Sequence, residues 1–267
     1  MNIIDVIYSL PTWLLALIIV SLTTGYSVGG LLIIRRRWPW AMRPEHCDLA
    51  QVVSSIAGVM YALILGFVTV AVWQGFDKAQ NVVELEASAV GDLIRTAHGY
   101  PDEAFRRRAQ DGILAYVGLV IKEEWPLQQR GQMSERAEDT LETVHRQLFA
   151  FDPKNFREHI IQTEALATMR TVMGQRRTRA LMNDSALQPP IWVVIVLGAV
   201  LGLSFPFFSG VENFRVHLVM TVVLAMSMGL VLFMIVALDF PFRGTVSITP
   251  EPFQKVLETM ERFAAGR

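Results

Sequence analysis

Four stretches of the chain stay apolar for long enough to cross a bilayer's hydrocarbon, which takes about 20 residues of helix. Pro11 to Ile34 is uncharged and stops at Arg35-Arg36-Arg37, and Leu49 to Trp73 is uncharged and ends before Asp77-Lys78. Ile191 to Phe208 follows Pro189-Pro190, and Val216 to Leu238 stops at Asp239. Proline suits the first turn of a helix, whose N–H groups have no internal partner. Trp13, Trp73 and Trp192 lie near span ends, where interfacial aromatics belong.

Between the second and third spans the pattern stays helical but turns polar. No proline falls between Gln74 and Gly99, so the second span is expected to run on as one long helix, with a kink allowed for. Pro101-Asp102 opens a further helix, which Glu124-Trp125-Pro126 is expected to close. Ser134 reads as the cap of another, with Ala137, Leu141, Val144, Leu148 and Phe151 at helical spacing. The last of this stretch runs from about Phe156 to Met182, and Pro250 to Phe263 reads as a short amphipathic helix. The fold class is therefore all-α: a four-span transmembrane helix bundle with a helical soluble domain between spans two and three. Its expected divisions are 1–73 (spans about 11–34 and 49–73), 74–189 for the soluble domain, 190–240 (spans about 191–208 and 216–238), and a tail over 241–267.

Composition agrees. Of 267 residues 52% are hydrophobic and only 18% charged, where a soluble domain carries about a quarter. The charges are unevenly placed: 15 of the 24 Lys and Arg and 17 of the 25 Asp and Glu lie between Gln74 and Pro189. A lone Cys47 excludes a disulfide framework, and a net charge of −1 argues against a nucleic-acid partner. The first span does not read as a cleaved signal, because Asp5 and no Lys or Arg precede it. An even number of spans puts both termini on the side of the soluble domain. Lys and Arg near the span ends are too evenly divided to orient the chain.

The second span carries a stripe of small and hydroxyl residues, Ser55, Gly58, Ala62, Gly66 and Thr69, at spacings that keep one helix face. It reads either as a close helix contact or as the lining of a pore in an oligomer, which without acidic residues suits anions. Trp73 ends it, and Asp77, Glu84, Ser88, Asp92 and Arg95 continue the line, with Glu86 off it. They read as a solvated face with Asp92 and Arg95 paired, or as an inter-subunit polar network around a vestibule. Asp239 and Arg243 anchor the end of the fourth span at the interface, and Gly210 to His217 reads as a structured hairpin. No histidine spacing suits a metal, and no nucleophile motif or phosphate loop occurs. No enzyme, cofactor or metal site is expected.

Several segments together carry a family likeness. Tyr61-Ala-Leu-Ile-Leu-Gly66, Glu84-Leu-Glu86-Ala-Ser88, Glu124-Trp125-Pro126, Pro189-Pro190-Ile-Trp192, Gly210-Val-Glu212-Asn213 and Leu238-Asp239-Phe-Pro241-Phe-Arg243-Gly244 resemble the bacterial bestrophin-like domain family. The likeness runs from about Trp13 to Phe253. It implies a relation to bestrophins, pentameric anion channels whose second span lines the pore. It further implies an inner-membrane homo-oligomer, a pentamer by analogy, that passes inorganic anions such as chloride, with the central domain and both termini cytoplasmic. No Arg-Phe-Pro-Asn motif or acidic run of a calcium clasp is present, so calcium gating is not implied. The rival expectation is a non-conducting membrane scaffold or regulator whose helical domain binds a cytosolic partner.

Overall fold

A computed structural model describes residues 7–37, 44–184, 187–208 and 213–264. Among these residues every regular element is helical. Four helices are long and apolar enough to cross a membrane. The chain divides into two compact units, the first of residues 1–76, 185–240 and 244–246, the second of 77–184, 241–243 and 247–267.

The first unit holds α1 (Thr12–Arg37), the first part of α2 (Pro44–Ala97), α7 (Pro189–Ser204) and α8 (Phe214–Asp239). Pro11 starts α1, its carbonyl accepting from Leu14 N and Leu15 N at 2.9 and 3.0 Å. Three arginines end it, opposite in sign to the helix dipole there. Prolines 189 and 190 occupy the first turn of α7, which tightens into a 3-10 turn over Phe205–Phe208. Asn213 caps α8 by accepting from Arg215 N at 3.0 Å. Of the hairpin expected over Gly210 to His217, residues 210–212 lie outside the described part, and Phe214 to His217 form the first turn of α8 instead. Glycine permits the closest approaches in this unit. A Cβ on Gly229 of α8 would lie 3.1 Å from the Val20 Cα of α1, and one on Gly198 of α7 would collide with the Tyr61 ring of α2. Tyr61 in turn donates to Ile195 O at 2.7 Å, tying α2 to α7. The core is narrow: Leu31, Val72, Ile195, Ala225 and Ile235 are sealed, while Leu22, Val59 and Phe67 are each about two-thirds or more exposed. An apolar skin of that extent suits hydrocarbon, not water.

The second unit takes the remainder of α2, then α3 (Glu103–Leu119), a π turn over Val120–Glu124, α4 (Trp125–Gln128), α5 (Glu135–Phe149), α6 (Phe156–Leu181) and α9 (Glu251–Ala264). Each cap has its acceptor: Asp102 for Ala104 N, Ser134 for Ala137 N and Asn155 for Glu158 N. One expectation changes. The helix opened at Pro101 does not close at Glu124-Trp125-Pro126, because the π turn re-spaces the backbone and places Pro126 in the first turn of α4, where it needs no hydrogen-bond donor. The long helix expected from the second span onward is seen, as α2 over 54 residues, about 80 Å at 1.5 Å per residue. Phe151, expected on α5, lies past its end and joins Tyr100 and Phe105 in an aromatic knot with centroids 4.7 to 4.9 Å apart. The C-terminal segment packs into the same unit, with Phe253 and Phe242 edge-on to Trp125 and the Trp125 indole donating to Ile248 O at 3.0 Å.

Candidate functional site

Within the first unit α2 has three sides. Tyr61, Leu65, Val68 and Val72, at spacings of four, three and four, are buried against Ile195, Ala199 and Ile235. Ile56, Met60, Leu63 and Phe67 stand 59 to 68% exposed among the described residues. The predicted stripe lies on the flank between. Its outer members Ser55, Gly58 and Ala62 line a cleft of about 870 Å³ that α8 closes with Met220, Thr221, Leu224 and Met228. Gly66 lies beyond that cleft and is exposed, Thr69 is half-buried, and Trp73 is 60% exposed.

His217 closes one end of the cleft. It is 2% exposed, and its Nε2 lies 2.9 Å from the Pro206 carbonyl. A carbonyl only accepts, so Nε2 carries the hydrogen and donates to it. Nδ1 has no hydrogen-bond partner among the described residues. Of the hydroxyls on the same wall, Thr221 donates to His217 O at 2.8 Å and Ser227 to Val223 O at 2.9 Å, both spent within α8.

In the second unit the predicted line Asp77, Glu84, Ser88, Asp92, Arg95 is exposed throughout. Asp92 and Arg95 pair with each other, and Glu84 accepts from Gln80 at 3.1 Å. Asp239, in the first unit, is buried and accepts from Leu187 N at 3.0 Å, fastening the approach to α7 to the end of α8. Arg243 belongs to the second unit, where its guanidinium lies against Gly131, a residue whose φ of 75° and lack of a Cβ both suit the spot.

The strongest polar cluster lies where the sequence pointed least. Arg179 is fully buried and gives Nε to Glu86 at 2.7 Å, Nη2 to Glu86 at 3.0 Å and to Glu124 at 2.6 Å, and Nη1 to Gln128 at 2.6 Å. Tyr116 donates to Glu86 at 2.6 Å, and Arg176 to the other Glu124 oxygen at 2.7 Å and to Ser134 O at 3.0 Å. The Trp125 and Phe253 rings cover the Arg179 guanidinium at 5.4 and 5.9 Å. Burial alone would push Arg179 down; the Glu86 and Glu124 carboxylates outweigh it and hold the group charged, above its usual value. Burial, and then the Glu86 charge, drive the Tyr116 hydroxyl well above 10.0. Glu124 lies in the π turn itself, so the extra residue of that turn is what aims it at both arginines. A signal for the cluster existed. Ala165, Met169, Val172, Arg176 and Arg179 recur every three or four residues on α6, as do Val83, Glu86, Val90 and Leu93 on α2, which puts the charges in the core register.

The model of the bestrophin-like domain matches residues 21–253. This chain belongs to the bestrophin-like family. Its matched region begins within the first candidate span and takes in the other three whole, and the integral membrane character read from the pattern goes with it. A bacterial bestrophin homologue from Klebsiella pneumoniae, crystallised as a point mutant, is similar in structure with a TM-score of 0.63 at 14% identity, covering 91% of this chain and 96% of that one. A second crystal structure of a point mutant, described as a membrane protein, has a TM-score of 0.61 at 15% identity over 92% of this chain and 96% of its own. At such identities the bestrophin-like likeness is one of fold. No curated protein matches the sequence.

Proposed function

We propose that this bestrophin-like protein is a subunit of an oligomeric, anion-permeable channel in the bacterial inner membrane. In this reading α2 lines the pore, residues 74–189 form a soluble domain, and that domain and both termini are cytoplasmic. Alongside family membership, the observation that carries the reading is the side of α2 at Ile56, Met60, Leu63 and Phe67, which the described residues leave mostly exposed. A second copy is a natural cover for such a face, and a ring of copies, a pentamer by analogy with bestrophins, would set several α2 helices around one axis. No Asp, Glu, Lys or Arg lies between Leu49 and Gln74. A path lined by Gly66, Thr69 and small neighbours would meet ions with weak dipoles only, which suits chloride better than a cation drawn to acidic rings. Asp77, Glu84, Ser88, Asp92 and Arg95 would then face a vestibule between subunits.

The test is chloride flux from liposomes carrying the purified protein, with oligomeric mass taken on the same sample. Flux from a defined oligomer, reduced several-fold or more by Thr69→Trp, supports the channel; Glu84→Ala and Asp92→Ala should then shift ion selectivity. A well-formed oligomer that passes no chloride points instead to a non-conducting scaffold whose helical domain binds a cytosolic partner.

A further inference from the structure

In the second unit the outward faces of α2 and α6 share a spacing and differ in charge. On α2, Glu84, Ser88 and Asp92 are exposed one turn apart, with Leu85 beside them 48% exposed. Helix α9 borders this face on its Gly91 side, where Lys255 is tied to Glu251 at 2.8 Å. On α6, Arg170, Gly174 and Arg177 are exposed at spacings of four and three. Neither arginine has a hydrogen bond or ion pair among the described residues, and a Cβ on Gly174 would meet nothing within 4 Å. The two faces also lie level. Tyr100, just past the end of α2, donates to Gln162 at 2.7 Å, and Arg179 donates to Glu86 at 2.7 Å. Helix α6 therefore runs antiparallel to α2. Counting along both helices between those contacts puts Glu84, Ser88 and Asp92 within about one turn of the levels of Arg177, Gly174 and Arg170. Acid, small residue, acid on one face thus matches base, small residue, base on the other, in order as well as in sign.

We propose that α6 of one copy packs antiparallel along α2 of the next. Gly174 lies against Ser88, where the backbones come closest, with Arg177 against Glu84 one turn to one side and Arg170 against Asp92 one turn to the other. This rests on the ring of copies around α2 proposed above, and names the surface that closes it. Rotation about an axis along α2 keeps every residue at its own level, so only residues already level in one copy meet in the next. A ring also needs two unlike patches on each subunit that fit one another. An acidic and a basic face, each with a small residue at its centre, meet that need and fix the register. Glu84 and Asp92 then line the seams of the vestibule between subunits, and Asp77 is left to face the vestibule itself.

Disulfide trapping in the full-length protein tests it, because two cysteines join only where their backbones come close. The variant carries Cys47→Ser, Ser88→Cys and Gly174→Cys, is purified in detergent, oxidised and run on a non-reducing gel. Ser88 is exposed and Gly174 has open space around it, so both cysteines leave the fold intact. The expected result is a ladder of covalently joined chains that ends at the mass of the oligomer and collapses on reduction. Ser88→Cys alone and Gly174→Cys alone should each stay a single chain, since the contact sets each position against its unlike partner. A single exposed ion pair contributes little, so charge is reversed and not merely removed. Asp92→Arg or Arg170→Asp should cut the ladder several-fold by setting like charges together, and the two combined should restore it. A ladder from either single-cysteine variant, a bridge closed within one chain, or a charge swap that restores nothing overturns the contact. Oligomeric mass on the unoxidised sample separates this from the reading beneath it: a defined oligomer without the ladder overturns the contact and leaves the ring, whereas a monomer overturns both.

Discussion

Arg179 is the residue on which the second unit turns. It meets carboxylates from α2 and from the π turn, and both are as fully buried as it is. Removing one member of such a set strands the opposite charge away from water, at a cost of about 3–5 kcal/mol. Arg179→Ala should lower stability by that order in denaturant unfolding, and Arg179→Lys should fall well short of restoring it, because an ammonium cannot serve Glu86 and Gln128 together in the geometry of the guanidinium fork. The exposed neighbour Arg177 is the control, with Arg177→Ala changing stability by about 0.5 kcal/mol or less. A second consequence concerns alkali. Burial pushes the Tyr100 hydroxyl up to about 12 and that of Tyr116 well above 10.0. Between pH 10 and 12 the unfolded chain gives up those protons while the folded chain keeps them, so stability that is complete below pH 10 falls as pH rises through that window. Unfolding followed across this range should show the fall, and Tyr100→Phe should make it shallower.

Among the elements, α1 and α8 depend on a missing side chain. A Gly229 Cβ would stand 2.5 Å from the Thr23 hydroxyl and 3.1 Å from the Val20 backbone, so both would have to shift. Gly229→Ala should cost about 1–3 kcal/mol by overpacking, and Gly229→Leu should part the two helices, read as a lower melting temperature and readier proteolysis of the first unit. The four spans were legible because a membrane helix declares itself by an unbroken apolar run that needs no partner to be recognised. Helix starts at Asp102 and Ser134 were legible for a similar reason, since each cap acts on backbone only two or three residues away, whereas the start at Asn213 was read as part of a hairpin. The Arg179 cluster was not read, although its register could be traced, since Glu86, Glu124 and Arg179 are far apart in sequence and each looks like one more charge on a polar helix. The stripe from Ser55 to Thr69 was visible as a face. Which neighbour that face meets depends on how α2 lies against α8, and no local pattern encodes that.

For the whole molecule, orientation is the next fact to fix. The proposed topology puts the start of α2 on the periplasmic side, opposite the soluble domain. Cys47, the single cysteine of the chain, should then react in intact cells with a thiol reagent that does not cross the inner membrane. Labelling only after permeabilisation would reverse the topology. The order in which the chain is made bears on its folding as well. The second unit gathers Phe242, Ile248 and Phe253 from the C-terminal segment, and all three are buried around Trp125 or beside Arg179. Most of that unit leaves the ribosome before α7 and α8 do, yet its core lacks those pieces until the last span has been handed to the insertion machinery. During synthesis the middle of the protein therefore waits, with Trp125 and Arg179 less covered, for Phe242, Ile248 and Phe253 to emerge. A chain stalled or clipped before Phe242 would present chaperones and proteases with that open core.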